Sequence, residues 1–219
     1  PKAIYQIQVK FRNELRPKSG LIRTREFIMK DLYSFHATAS DLDNYYSQTS
    51  QAYTKIFSRC GLKTLIIEAS GGDFTKEYSH EFQVLSPYGE DSIVYCPNHQ
   101  WAQNKEIAKL KEGDKCPLGQ DRLSEAKGVE VGNIFRLGTK FSKDLGLTYK
   151  DKYGQNNLVW MASYGIGPGR VMGTVVDVHH EDRGIIWPLS IAPFKLHLIL
   201  LSGATTQETR RLLNLADKA

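Results

Sequence analysis

The sequence has no apolar run approaching the roughly 20 residues that a membrane-spanning helix needs. Its stretch LHLILL at 196–201 is far too short. The opening residues, PKAIYQIQ, lack the basic start and apolar block of a signal peptide. Cysteine is scarce: Cys60, Cys96 and Cys116 are odd in number and far apart. That argues against a disulfide framework and for a reducing, intracellular compartment. The glycine-rich stretch GIGPGR is not followed by Gly-Lys-Ser/Thr, so it is not a phosphate-binding P-loop. No Ser/His/Asp or Cys/His arrangement with local support is visible, and covalent catalysis is not indicated. Strong charge is missing too. A formal +5 and a pI near 9.0 permit a nucleotide or RNA partner but are explained as well by solubility.

What is present suits a globular protein. At 219 residues with 41% hydrophobic and 11% aromatic side chains, the chain can bury one good core and part of a second domain. It begins inside a strand pattern, so further sequence upstream is expected. From Phe11 to Phe35 the text reads as two strands joined by a basic loop. Tyr5, Ile7, Val9 and Phe11 alternate with Gln6, Gln8, Lys10, Arg12 and Glu14. In the second arm Arg23, Arg25, Phe27, Met29, Asp31, Tyr33 and Phe35 share one face. A purely structural hairpin has no need of arginines, a carboxylate and aromatics in one row, so this row is expected to floor a site.

Further on, Ser40 is the expected N-cap of a helix whose apolar stripe runs from Leu42 through Tyr46, Tyr53 and Phe57, with Gly61 as its stop. Its tyrosines are read as packing. Strands are expected over 63–69, 81–85 and 91–96. The polar segment 97–127 should be irregular, with one short helical piece around 104–111. Strands over 128–138 and 157–164 follow, the second running through Gly165-Ile166-Gly167-Pro168-Gly169-Arg170 into a helix over 171–179. A strand, a tight glycine turn and a helix N-terminus bearing an arginine suit a negatively charged group. Past Trp187-Pro188 the pattern changes to a strand over 192–201 and a helix over 205–219 with a Thr205/Glu208 capping box.

Arg12, Arg23, Arg25 and Arg170 suit phosphate through their planar forks. Surface ion pairs with Glu14, Glu26 and Asp31 account for them equally well on spacing alone. Cys96, His99 and Cys116 offer three zinc-type ligands, but Gly119 stands at the place of a fourth, so a loop without metal is expected. His179-His180-Glu181-Asp182 sits at a helix end, where such residues are ordinary, and is read as solvated.

Taken together, FRNE at 11–14, then Arg23, Phe27 and Asp31 at four-residue spacing, then YGIGPGR opening a helix, resemble the second and third signature motifs of a class II aminoacyl-tRNA synthetase. The stretches RPKSGLIRTREFIMKDLYSFH, SHEF, GVEVGNIFRLGTKFS and ASYGIGPGR resemble prolyl-tRNA synthetases of the bacterial or organellar type. The resemblance implies an α+β fold, an antiparallel sheet flanked by helices, over residues 1–190. It also implies that 191–219 begin a C-terminal α/β anticodon-binding domain. Its departures are the absent first motif and Thr/Glu strand, the absent editing insertion, and most of the anticodon domain. Asn133 stands where the family has histidine, Ser163 where cysteine is common and Gly169 where serine is common.

The implied activity is ATP-dependent activation of proline and its transfer to tRNA(Pro), with ATP and Mg2+ as cofactors. A homodimer of the full-length protein, no membrane, and a cytoplasmic or organellar-matrix location are also implied. Arg12 would hold the α-phosphate and the carboxylate, and Arg170 the γ-phosphate, making these two the catalytic residues. Glu14 and Arg23 would hold the adenine end and γ-phosphate, with Phe27 stacking on the base. Gly167 belongs to the nucleotide turn, Glu130 is the magnesium-linked carboxylate and Thr139 a nucleotide contact. Met29, Asp31, Tyr33, Asn133, Ser163 and Gly165 would form the proline pocket. The competing expectation is a synthetase-like paralogue that binds nucleotide, amino acid or RNA without catalysis.

Overall fold

The computed structural model describes residues 1–18, 20–197, 199 and 205–216. In chain order the elements are β1 (Lys2–Phe11), β2 (Glu26–His36), α1 (Ala39–Arg59), β3 (Leu65–Ala69), β4 (Ser79–Leu85), β5 (Asp91–Tyr95) and β6 (Ala102–Asn104). Then come β7 (Ser124–Gly138), α2 (Lys140–Asp144), β8 (Thr148–Lys150), β9 (Asn156–Leu158), β10 (Trp160–Ile166) and α3 (Pro168–Val178). The short pair β11 (His180–Glu181) and β12 (Gly184–Ile185) and the helix α4 (Thr206–Ala216) complete the list.

Eight strands form one sheet in the order β1-β2-β10-β7-β4-β3-β6-β5, with β5 also pairing along β7. Every pairing in it is antiparallel except the single β3–β6 rung, Glu68 to Gln103. α1 and α3 cover one face. The α1 stripe Leu42, Tyr46, Tyr53 and Phe57 packs with Phe82, Val131, Ile134, Tyr164, Val171 and Val175 in the main core. Each such large side chain contributes roughly 1.5–3 kcal/mol by leaving water. The other face carries the site.

Several boundaries differ from expectation. α1 is capped by Thr38, whose Oγ1 accepts from Asp41 N at 3.2 Å, two residues before Ser40. Gly61, at φ +77°, ends it as expected. β2 begins at Glu26, which leaves Arg23 and Arg25 in the preceding loop. The helical piece around 104–111 is one uncontinued turn after β6: Ile107 N and Ala108 N both bond Asn104 O, and Asn104 Oδ1 takes Glu106 N. Asparagine competes with helix here by bonding its own neighbouring backbone. The strand expected over 157–164 is broken at Val159 into β9 and β10. No strand forms over 192–197, and residues 198, 200–204 and 217–219 lie outside the described set. The Thr205/Glu208 capping box is present, Thr205 N to Glu208 Oε2 at 2.9 Å.

Candidate active site

Strand register builds the floor. β2 pairs with β10 so that Asp31 faces Gly165 and Tyr33 faces Ser163. β10 pairs with β7 so that Gly165 faces Asn133 and Ser163 faces Phe135. Outward from there, Gln6 lies opposite Asp31 and Glu81 opposite Asn133. One row therefore reads Gln6, Asp31, Gly165, Asn133, Glu81 across five strands, with Tyr33, Ser163 and Phe135 as the row beside it. Gly165 leaves the row open at its centre. A β-carbon there would meet its nearest atoms, Asn133 O and Met29 Sδ, only at 3.9 Å. The glycine is not demanded by crowding; it keeps space above the sheet.

That space is a cavity of about 290 Å³. Around it stand Arg12, Glu14, Arg23, Phe27, Met29, Asp31, Tyr33, Glu130, Asn133, Ser163, Gly165, Gly167 and Arg170. Every residue assigned to the nucleotide or the proline pocket thus lines one space except Thr139; Arg25, also suited to phosphate, is outside the lining and donates through Nε to Glu14 O at 3.1 Å. Thr139 is the residue before α2, where its carbonyl accepts from Ser142 Oγ and Lys143 N, and it is not part of the lining.

A β-bulge places Glu130. Phe82 pairs with Gly132 but Gln83 pairs with Glu130, so Val131 is an extra residue on β7. Val131 turns into the core beside Gly132, and Glu130 comes back to the face of Asn133 although the two are an odd three positions apart. Asn133 Nδ2 then donates to Glu130 Oε1 at 3.0 Å and, at 3.5 Å, to Glu81 Oε1. Burial and the neighbouring Glu130 carboxylate push the Glu81 carboxyl up to about 8. Gln83 bridges Glu81 and Asp91 through its amide nitrogen at 2.9 and 2.7 Å. Among the described residues, the buried Asn133 Oδ1 has no hydrogen-bond partner. Glu81 and Glu130 converge on one amide nitrogen, and such a pair of carboxylates offers oxygen donors of the kind that suit a hard divalent cation.

The mouth is held by ion pairs instead. Glu90 grips Arg23 through Nε and Nη2, both at 2.6 Å, while Glu14 accepts from Arg23 Nη1 at 3.2 Å. Burial alone would raise the Glu90 carboxyl, but hydrogen bonds from Lys18 and Arg23 outweigh it and hold it below its ordinary value. Arg170 donates to Ile22 O at 2.9 Å and to Glu130 Oε2 at 2.9 Å, tying the first turn of α3 to the loop and to β7. Arg12 differs from both. Its guanidinium lies over the Phe27 ring, 5.1 Å from the centroid, and has no carboxylate partner among the described residues. It is the cation left available to an incoming anion.

Sequence reading missed four supports. Asp31 is buried with Lys10 Nζ at 2.5 Å and Gln6 Nε2 at 3.2 Å, both reaching Oδ2 from β1. The period-two pattern put Gln6 and Lys10 on this face, and only the register shows which carboxylate they meet. Glu90 sits after Gly89, whose missing side chain admits the Gly128 backbone: a β-carbon would lie 2.2 Å from Gly128 O. Phe74 arrives from the loop after β3 and packs on Phe135 with ring centroids 5.0 Å apart. The bulge at Val131 has no signature in the text. At the end of α3 His179 is half-buried and donates to Gly61 O, while His180 is exposed and lies on the carbonyls of Val176 and Asp177.

Residues 1–179 match the model of the tRNA synthetase class II core domain (G, H, P, S and T). The chain belongs to that family. Among its relatives, a proline–tRNA ligase from Wolbachia sp. subsp. Drosophila simulans is 37% identical over 223 residues, covering 97% of this chain and 53% of the relative. One from Ehrlichia chaffeensis is 38% identical over 214 residues, covering 92% and 50%. The chain thus spans about half the length of the relatives it matches. The family's core fold is also found in solved structures. A Cryptosporidium parvum prolyl-tRNA synthetase complexed with L-proline and AMP superposes with a TM-score of 0.72 at 19% identity, covering 98% of this chain and 38% of that one. A Giardia lamblia prolyl-tRNA synthetase in complex with prolyl-adenylate gives 0.69 at 21% identity, covering 99% and 36%.

Proposed function

We propose that this chain forms the proline-activating core of a proline–tRNA ligase. The observation that carries the reading is the convergence on one cavity of an unpaired arginine at the mouth, two carboxylate-held arginines, and a floor of Asp31, Gly165 and Asn133. Relatives named proline–tRNA ligase over nearly the whole chain support it.

In the first step a carboxylate oxygen of proline attacks the α-phosphorus of ATP, and the bond to pyrophosphate breaks. The nucleophile is already ionised at neutral pH, so no general base is needed. The protein's task is positioning and charge stabilisation. Arg12 meets the charge growing on the α-phosphate. Arg23 and Arg170, their forks fixed by Glu90, Glu14 and Glu130, take the outer phosphates without having to be ordered first. Phe27 offers its ring to the base once Arg12 moves from it to phosphate. Asp31 faces the secondary ammonium, with Met29, Tyr33, Ser163 and Asn133 around the ring. Glu130 and Glu81 would hold Mg2+, which when bound neutralises charge between phosphates. In the second step the 3′ hydroxyl of tRNA(Pro) attacks the mixed anhydride and AMP leaves. Thr139 is assigned a peripheral nucleotide contact.

Residues 1–190 are assigned to the catalytic domain and 191–219 to the start of an anticodon-binding domain. Assembly as a homodimer in a cytoplasmic or matrix compartment completes the reading. Proline-dependent ATP–pyrophosphate exchange tests it. Exchange that requires proline supports the ligase, and nucleotide binding without exchange leaves a non-catalytic paralogue. One observation favours that second reading: Lys10 already neutralises Asp31, so a substrate ammonium must share that carboxylate.

A further inference from the structure

Away from the cavity, the irregular segment between β5 and β7 makes two short reversals that face one another. In the first, Cys96-Pro97-Asn98-His99 turns back so that Cys96 N bonds Trp101 O at 2.9 Å. In the second, Cys116-Pro117-Leu118-Gly119 turns back so that Cys116 N bonds Asp121 O at 2.8 Å. Leu118 N also points at Cys116 Sγ, 3.4 Å away, a backbone donor to sulfur. The donor atoms of Cys96, His99 and Cys116 all lie within 4.8 Å of one another.

One nitrogen is the hub. His99 Nδ1 is 3.3 Å from Cys96 Sγ, 3.9 Å from Cys116 Sγ and 3.1 Å from Asp121 Oδ2. With Zn–S near 2.3 Å and Zn–N or Zn–O near 2.0–2.1 Å, tetrahedral ligation sets neighbouring donors roughly 3.3–3.8 Å apart. The observed spacings bracket that range. The other Asp121 oxygen, Oδ1, accepts from Asn98 Nδ2 at 2.7 Å, which turns Oδ2 toward the hub. Gly119, where spacing looks for a fourth ligand, is occupied by the histidine itself: a β-carbon there would lie 2.2 Å from His99 Cε1. Asp121, two residues later, is not one of the mutually close donors; its Oδ2 reaches the cluster only at the His99 ring nitrogen.

We propose that Cys96, His99 and Cys116, with Asp121 supporting the histidine side, bind one zinc ion that staples the two reversals together ahead of β7. The three donors come from both reversals and stand away from the cavity, so the role of the ion is to crosslink the two turns. The need is visible in the packing. The cluster beneath these turns has only Val94, Cys96, Cys116 and Leu123 fully buried, with Trp101, Ala108 and Leu110 beside them. So small an apolar group holds loops poorly without a crosslink. The staple acts where Tyr95 pairs with Ser124, at the start of the strand that carries Glu130 and Asn133. This inference is independent of the ligase reading.

The test is metal content and metal exchange on the intact chain, purified and gel-filtered in reducing buffer. Elemental analysis should find about one zinc per chain in the parent and in Cys60→Ser, and about a tenth of that in Cys116→Ser. Asp121 is partly exposed, so Asp121→Asn should keep its far-UV spectrum yet lose zinc to a chelator at least about tenfold faster. Cobalt loading should give a thiolate charge-transfer band that weakens by about half in a single-cysteine variant. A reduced chain that takes up neither zinc nor cobalt would overturn the proposal. So would equal zinc in Cys116→Ser and the parent, or a Cys96–Cys116 disulfide that persists in reductant.

Discussion

Asp31, Gly165 and Asn133 hold their places because three antiparallel strands share one register, whereas Arg23 and Arg170 hold theirs because carboxylates grip them. The floor is thus fixed by backbone pairing, and to move one residue of it the sheet must slip. The mouth is fixed by side-chain pairs that a single mutation can release without touching the backbone. A rigid floor with a separately tunable mouth lets the two regions of the cavity change independently. Arg12 belongs to neither group: it is held by a ring face alone.

The sharpest test of this division is Arg12→Ala. Losing this cation, which has no carboxylate partner among the described residues, should lower kcat/KM for proline-dependent exchange by about 10²–10³-fold, roughly 2.7–4 kcal/mol. Its melting temperature should match the parent, since the side chain is exposed. A variant with parental exchange kinetics would sink Arg12's role. Gly132→Ala attacks the floor from beneath. Its β-carbon would come 2.8 Å from Phe57 Cζ and 3.2 Å from Gly165 O. Overpacking of this kind should cost about 1–3 kcal/mol in urea unfolding. If stability held while activity fell, the floor would be tuned side by side with the mouth after all.

Glu90→Gln loosens the mouth without touching the floor. Arg23 loses its main orienting partner, and KM for ATP should rise about tenfold, near 1.4 kcal/mol, with KM for proline unchanged. A matching rise for proline would mean that the two regions are coupled. The gentlest probe is pH. Glu81 binds its proton more tightly folded, at about 8, than in the unfolded chain near the ordinary 4.5. Between those values the folded state holds the extra proton, so stability falls as pH rises, by at most about 1.4 kcal/mol per pH unit. Glu81→Gln should flatten melting temperature against pH over that window. An unchanged slope would assign the titration elsewhere.

Much of this was legible in the text because strand parity is local. Alternation alone placed Phe27, Met29, Asp31 and Tyr33 on one face, and helical spacing marked Tyr46, Tyr53 and Phe57 as core. Register was not legible. One partner of β2, β10, lies more than a hundred residues downstream, and nothing in ASYGIG states that Gly165 meets Asp31. Ion-pair choice was equally hidden: Arg23 had Glu14 close in sequence, but its principal partner is Glu90, brought near by the Gly89–Gly128 backbone contact. The short helix expected near residue 104 failed because Asn104 bonds its own turn.

The bulge on β7 bears on how such a chain tolerates changes in length. Elsewhere along a paired strand, loss of one residue exchanges inside for outside for everything beyond it. At Val131 the rule reverses. Removing that residue would leave Glu130 and Asn133 two apart and still on one face, at the expense of a single core side chain. Leu137, skipped where Met161 pairs with Gly138 and Ala162 with Arg136, is a second such place on the same strand. Single-residue deletions among descendants of this sequence should therefore gather at these two positions of β7, and be purged between them.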